Sequence, residues 1–394
     1  MMPDQKRIRK ELEKLRPEIL RINKLIFDNP ELNFNELFAS ELLAEEMEKH
    51  GFRVKRGKGK LKTAFEAVFT GKSAKPSIAL LAEYDALPGI GHACGHNMIA
   101  ASSFGAAVVA KNILGDRCGK LSLMGTPAEE GGGGKIQMIA DGWFKGIDAA
   151  MMVHPSNKNR VVARMLAVAE MEFHFYGKAS HAAANPELGI NALDGVITLF
   201  NSVNALRQQT PNFSRLHGIV MHGGDAPNII PEYASAKFMA RGITMRDYEY
   251  VKKRLIECAK GAASSTGCKL KIKNNPMAFH AFEPNRTLGK IFSAHMANVG
   301  LTDYGFNETE QIGSSDIGNL SQTLPALHPE FAVGDSKTVN HSRDFLKAVL
   351  SKNGVENMMK MTEALAATTI ELFMNPSLVA EAKKEFNAFK ANRS

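Results

Sequence analysis

Cys94 and His96 stand two residues apart in Ala93-Cys94-Gly95-His96-Asn97, offering a thiolate and an imidazole across one glycine, a spacing that suits a divalent cation. A structural zinc site would pair Cys-x-x-Cys motifs, and the sequence has none, so a catalytic metal is the better reading. Three further stretches add donors. Thr126-Pro127-Ala128-Glu129-Glu130 places adjacent carboxylates after an apolar run, His154 closes the run Met151-Met152-Val153, and a late histidine is supplied by either His341 in Val339-Asn340-His341-Ser342 or His328 in Leu327-His328-Pro329. Amide hydrolysis needs a polarised water, a base for its proton and an acid for the departing amine. At a strand-to-loop bend Glu130 can ligate while Glu129 moves the proton.

These residues need a scaffold, and the hydrophobic pattern supplies one. Leu12, Leu15, Ile19, Ile22 and Ile26 recur at helical spacing up to Asn29-Pro30, and a second helix is predicted over about Asn35 to Lys49. Apolar strands are predicted at Ala64–Phe69, Ile78–Ala82, Leu121–Gly125 and Ala149–Val153, with an Ala- and Gly-rich helix over Met98–Lys111. The carboxylate pair and His154 therefore fall at strand ends, where α/β sheets bind ligands. From about Leu166 the order changes to strand Val168–Tyr176, helix Leu188–Leu206, strands Leu216–Met221 and Tyr233–Arg241, helix Asp247–Ala263 and strand Cys268–Lys273. That is a ferredoxin-like β-α-β-β-α-β unit. The late ligand candidates resume beyond it, so the expected organisation is a discontinuous catalytic domain, 1–166 and 285–394, interrupted by an inserted domain, 167–284. The glycines Gly131 to Gly134 read as a flexible, low-bulk wall of the site, and Lys135-Ile136 after them fails the phosphate-loop pattern.

With 394 residues, 44 % hydrophobic and 23 % charged, the chain has the composition of a folded two-domain protein. No apolar run reaches the roughly 20 residues of a membrane helix, and the charged start, Met1 to Lys14, is unlike a secretory leader. Four cysteines are too sparse for a disulfide framework, which suits a reducing, cytoplasmic setting. The net charge of +8 is scattered apart from the run Arg53 to Lys62, read as a solvated hairpin edge rather than a nucleic-acid surface. A thiol-transfer enzyme built on Cys94 would need a resolving cysteine or a dinucleotide fingerprint, and neither is convincingly placed.

Ordered segments along nearly the whole chain carry a family resemblance. They are Ala82-Glu83-Tyr84-Asp85-Ala86-Leu87-Pro88, Gly91-His92-Ala93-Cys94-Gly95-His96-Asn97, Pro127-Ala128-Glu129-Glu130-Gly131-Gly132, Gly177-Lys178-Ala179-Ser180-His181-Ala182-Ala183, Gly313-Ser314-Ser315-Asp316 and Asn340-His341-Ser342. Together they resemble the metal-dependent amidohydrolases that include aminobenzoyl-glutamate hydrolase, indole-acetyl-amino-acid hydrolases, aminoacylases and related carboxypeptidases and dipeptidases. The resemblance implies an α/β, zinc-peptidase-like catalytic domain with a mixed sheet flanked by helices, and a ferredoxin-like α+β insertion serving as dimerisation domain and lid. It implies that Cys94, His96, Glu130, His154 and His341 bind two divalent ions, zinc or manganese with cobalt or nickel as alternatives, Cys94 bridging. The choice between the late histidines thereby falls on His341.

By the same resemblance Glu129 is general base and acid, His181 stabilises the oxyanion across a homodimer interface, and Asn228 contacts substrate. Arg241, at a strand end, is a candidate for a substrate carboxylate. The implied substrate is an N-acyl or aminobenzoyl amino acid or a small dipeptide, hydrolysed by metal-activated water, with no nucleic acid or membrane as partner. A peptidase acting on longer peptides and a non-catalytic dimeric binding protein are the alternatives. Two departures from the common family pattern, Asn97 for aspartate and Leu81-Ala82-Glu83 for Arg-Ala-Asp, leave every proposed ligand in place and alter its surroundings.

Overall fold

The computed structural model describes residues 3–275, 277–305 and 313–392, which fall into two compact units: Met1–Arg164, Glu283–Gln311 and Ser315–Ser394 in the larger, Met165–Phe282 and Ile312–Ser314 in the smaller. The chain returns briefly to the smaller unit at Gly313, whose carbonyl accepts from Leu166 N–H at 2.8 Å.

In chain order the first elements are α1 (Gln5–Asp28), α2 (Leu37–Lys49), β1 (Arg53–Arg56), β2 (Phe65–Thr70), β3 (Ser77–Ala82), α3 (His96–Leu114), β4 (Lys120–Gly125), α4 (Gly134–Ala140), β5 (Ala149–Met151) and β6 (His154–Ser156). The smaller unit carries β7 (Ala167–Tyr176), α5 (Ala192–Leu206), β8 (Arg215–His222), β9 (Tyr233–Gly242), α6 (Met245–Thr266) and β10 (Lys269–Asn274). The chain then closes with α7 (Arg286–Asn298), α8 (Ile317–Ser321), β11 (Ala326–Leu327), β12 (Glu330–Ala332), α9 (Arg343–Val349), α10 (Lys352–Met374) and α11 (Pro376–Ala391).

The larger unit is built on a mixed sheet of order β1-β2-β4-β3-β5-β11, in which β3, β4, β5 and β11 are parallel and β1 and β2 antiparallel. Every residue of β3 is buried, as expected for a parallel strand covered on both faces. Helix α3 lies on β3 and β4 and is flanked by α1 and α10. The stretch His96–Arg117 is long and apolar enough to cross a membrane by length and composition, contrary to the expectation above, but 83 % of its apolar window is buried within the protein, so it is a core helix. The basic run begins as the exposed edge strand β1, where Arg56 pairs with Glu41 and Glu48 of α2 at 2.7 Å each.

The apolar run Ala149–Val153 is shorter as a strand than its hydrophobicity predicts. After Met151 the chain leaves the large sheet and continues against the 326–332 segment, with Met152 N–H on Leu327 O and His154 N–H on Pro329 O, so that β6 pairs in parallel with β12. The smaller unit is an antiparallel sheet of order β10-β7-β9-β8, the ferredoxin-like arrangement, with α5 and α6 packed on it over Phe173, Phe175 and Phe238. Its first helix starts at Ala192 rather than Leu188, because Asn191 supplies the cap by accepting Leu193 N–H at 3.0 Å and Leu188 is left 58 % exposed.

Candidate metal and catalytic site

All the metal-ligand candidates lie at the C-terminal ends of parallel strands or in the loops beyond them. Cys94 and His96 follow β3 at the entry to α3, Glu129 and Glu130 follow β4, His154 follows β5, and His341 precedes α9. Gly95 makes the first pair possible: its φ is +78°, and a Cβ there would lie 2.6 Å from Pro155 Cγ. His341 also adopts a left-handed φ of +63°, and its N–H donates to Ala93 O at 3.0 Å, tying the late loop to the cysteine loop.

The side chains converge as two triads that share the thiol: Cys94 with His96 and His154, and Cys94 with Glu130 and His341, the ligand atoms in each lying within 4.8 Å of one another. His154 and His96 are both oriented through Nδ1. His154 Nδ1–H donates to Pro155 O at 2.6 Å, and His96 Nδ1 lies 2.9 Å from Asp85 Oδ1, which leaves each Nε2 facing the cluster. His96 Nε2 is buried without a hydrogen bond to any described residue, and Cys94 Sγ lies 3.7 Å from His154 Nε2. Such an orphaned imidazole nitrogen among a thiol and carboxylates fits a bound cation.

The electrostatics are those of an anionic cluster: burial lowers His96, but Cys94 and Asp85 outweigh it and hold the imidazole well above its ordinary value. Burial, then Glu130, pushes the Cys94 thiol well up, and burial, then Glu83 and Glu130, pushes the Glu129 carboxyl well up, as happens when anionic groups crowd together without a counter-cation. Burial lowers His154 to about 4, keeping the imidazole neutral as a ligand must be. His328 is buried with its ring centroid 5.0 Å from that of His154, but it belongs to neither triad, whereas His341 does.

Several supporting residues have no role assigned from sequence. Asp85, buried, holds His96 with one oxygen and Glu130 N–H with the other at 2.8 Å. Lys135 is fully buried, with Nζ 2.5 Å from Glu83 Oε1 and 2.6 Å from Asp316 Oδ1, and its backbone N–H also donates to Asp316. Glu83 Oε2 is left 3.7 Å from His96 Nε2. Asp85 and Asp316 lie in the motifs quoted above, whereas Lys135 stands out in the sequence only by failing a phosphate loop. The other family departure, Asn97, turns away from the cluster to donate to Asn23 Oδ1 at 2.8 Å. The glycine run lies against the 33–34 segment: a Cβ at Gly131, itself exposed, would lie 2.6 Å from Asn33 Nδ2, and one at Gly132 2.4 Å from Phe34 Cε2.

In the smaller unit, His181 and Asn228 come together. His181 bridges Ile229, and Ala182 N–H donates to Asn228 O. His181 Nδ1 accepts the N–H groups of Ala183 and Ala184 at 3.2 and 3.1 Å, which assigns the ring proton to an exposed, donating Nε2. Arg241 is not with them. It sits at the far end of β9 from Tyr233, ~26 Å away by strand rise, half-buried, with Nη1 3.3 Å from Ser314 Oγ.

Residues 167–266 match a family model described as a peptidase dimerisation domain. The chain is 36 % identical over 317 residues to the Xaa-Arg dipeptidase of Mus musculus, covering 78 % of this chain and 73 % of that one. It is 29 % identical to a p-aminobenzoyl-glutamate hydrolase subunit from Escherichia coli (strain K12), covering 91 % and 90 %. Among solved structures, a Bacillus subtilis protein (YXEP) described as a dinuclear metal-binding peptidase of the M20 family superposes with a TM-score of 0.71 at 19 % identity, over 91 % of this chain and 99 % of that one.

Proposed function

The chain belongs to the M20 peptidase family, and from that membership we propose that it hydrolyses the amide bond of an N-acyl or aminobenzoyl amino acid or of a small dipeptide, using two divalent ions, zinc or manganese. The observation that carries the reading is the pair of triads sharing Cys94, with Glu129 beside them and no ligand missing. Ions bound there would polarise the amide carbonyl and acidify a water molecule.

The chain's own groups then have separate tasks. Asp85 and Pro155 O fix the two imidazoles, and Glu129, 8 % exposed and close enough to share a triad with His96 and Glu130, takes the proton of the attacking water and returns it to the departing amine. His181, with its donating Nε2, is suited to an oxyanion, Asn228 to the substrate beside it, and Arg241 to a carboxylate. Arg241 stands at the opposite end of β9 from Tyr233, and a reading in which one substrate meets all three draws them from two copies of the chain. A homodimer through the smaller unit provides the two copies. Its edge strand β8 exposes Ile219, Val220 and Met221 at 60, 50 and 52 %, an apolar edge of the kind that pairs with another chain.

The test is hydrolysis of a panel of N-acyl amino acids, aminobenzoyl-glutamate and dipeptides, including Xaa-Arg, by metal-stripped and metal-restored protein. Release of a free amino acid only after zinc or manganese is restored is the expected result. Silence across the panel with both ions bound would overturn the small-substrate reading in favour of longer peptides.

A further inference from the structure

Ala128, the residue before Glu129, has a φ of +58°, a left-handed conformation that costs an L-residue roughly 1–2 kcal/mol. Its N–H donates at 2.9 Å to Oε1 of Glu36, a fully buried carboxylate 92 positions earlier in the chain. The same oxygen accepts Phe34 N–H at 2.9 Å, and Oε2 accepts the Thr63 hydroxyl at 2.9 Å. Glu36 stands at the cap position of α2, where an acidic side chain would ordinarily take the helix's free N–H groups. Here Glu31 takes them instead, accepting Phe38 N–H and Ala39 N–H at 3.0 Å each, and Glu36 turns inward. Beside it, the side chains of Asn33 and Phe34 lie against Gly131 and Gly132, 2.6 and 2.4 Å from where a Cβ on each would stand.

We propose that Glu36 is a positioning residue: by holding Ala128 in the left-handed conformation it aims Glu129 at the reacting water and amine and Glu130 at the metal. The inference rests on the roles assigned above to Glu129 and Glu130. A bond to a backbone N–H places both carboxylates at once, because the turn at Ala128 sets the direction in which the next two side chains leave the chain. Two of the three donors to Glu36 are backbone N–H groups, which no apolar side chain could satisfy, and burial pushes the Glu36 carboxyl up to about 7, so hydrogen bonding rather than a full charge holds the turn. The reach to Ala128 gives the buried carboxyl a use.

The experiment compares E36D, E36Q, E36A and T63V in the full chain, measuring thermal stability, zinc affinity by chelator competition, and kcat and KM at saturating metal. E36D keeps the carboxyl group but withdraws the oxygen by about one methylene, and a misplacement on the order of 1 Å costs on the order of 10²-fold in turnover. E36D and E36A are therefore expected to lose about 10–100-fold in kcat with KM nearly unchanged, and to bind zinc more weakly. E36Q, which keeps an oxygen within reach of Ala128 N–H, should recover most of both. T63V, which removes only the Oε2 bond, should lose stability and keep turnover and zinc affinity. The proposal is overturned if E36D matches or exceeds E36Q, or if T63V loses as much kcat as E36D. Zinc affinity is read without substrate, so absence of hydrolysis of the small amides by every protein, wild type included, would overturn the small-substrate reading while the affinity series still decides the role of Glu36 toward Glu130.

Discussion

Asp85 offers the sharpest test of how the site is held together. Its two oxygens do different work, one facing His96 Nδ1 at 2.9 Å and the other accepting Glu130 N–H at 2.8 Å. In D85N only one of those positions can be an acceptor. The amide nitrogen must face either the imidazole N–H or the backbone N–H, leaving a buried donor unmet at a cost of about 1–3 kcal/mol. If the imidazole loses its partner, its ring proton is free to move to Nε2, the atom that must ligate. If the backbone loses it, the Glu130 loop is loosened. Either way metal affinity should fall about 10–100-fold, the range for residues that orient a metal-ligating histidine and about 1.4–2.8 kcal/mol of binding free energy. Metal-free D85N should lose no more than about 1–3 kcal/mol, the cost of the unmet donor, since burial raises the Asp85 carboxyl but His96, the Glu130 N–H and Lys135 prevail and hold it below the ordinary range, so its charge is favoured rather than repelled there. The assay is competition with a chromogenic chelator on stripped protein, with thermal melts of the stripped and loaded forms. Zinc bound by D85N as tightly as by wild type would refute the claim that Asp85 orients His96. A large loss of stability already present in the stripped protein would show the role to be architectural.

Three other outcomes follow from the geometry. E129Q should retain both ions within a few-fold while kcat falls about 10²–10⁴-fold, the usual contribution of a general acid–base group; loss of metal would instead make Glu129 a ligand. H341A should lose or greatly weaken one of two ions by metal analysis, whereas H328A, outside both triads, should keep two and lose stability; the reverse result would exchange their roles. Asp148 locks the start of β3 to α11, accepting Ser77 N–H at 2.8 Å and lying 2.7 Å from Lys383 and 3.0 Å from Lys75. Burial raises its carboxyl, but Lys383, Ser77 N–H and Lys75 prevail and hold it below the ordinary range, so it stays ionised to lower pH folded than unfolded. The stabilisation is thus present above about pH 4 and fades as pH falls through the folded-state value. D148N should cost about 1 kcal/mol at pH 7, discounted because both lysines are exposed, and the gap in urea-unfolding free energy should close toward pH 3; a gap independent of pH would refute the ionic lock.

The features legible in the sequence share a property: each is encoded by residues close together in the chain. Cys94 and His96 announce themselves by spacing, Glu129 and His154 by following apolar strands, and the ferredoxin-like unit by an order of short periodic runs that the sheet order β10-β7-β9-β8 reproduces. Local signals failed where a distant partner decides the outcome. Leu188 fits a helical pattern, yet the cap at Asn191 starts the helix later, and the run to Val153 breaks at Met151 because the 326–332 segment takes over the pairing. The same holds inside the site. Nothing near Lys135 in sequence reveals that Glu83 and Asp316 enclose it, and nothing near Ala128 reveals the carboxylate of Glu36. The identity of the proposed ligands is thus written locally and their aim at long range, which has an experimental consequence. Replacing a ligand should remove an ion, whereas replacing Asp85 or Glu36 should leave every donor atom in the chain and change only how well it points, so affinity and turnover fall while the number of ions bound at saturation stays the same.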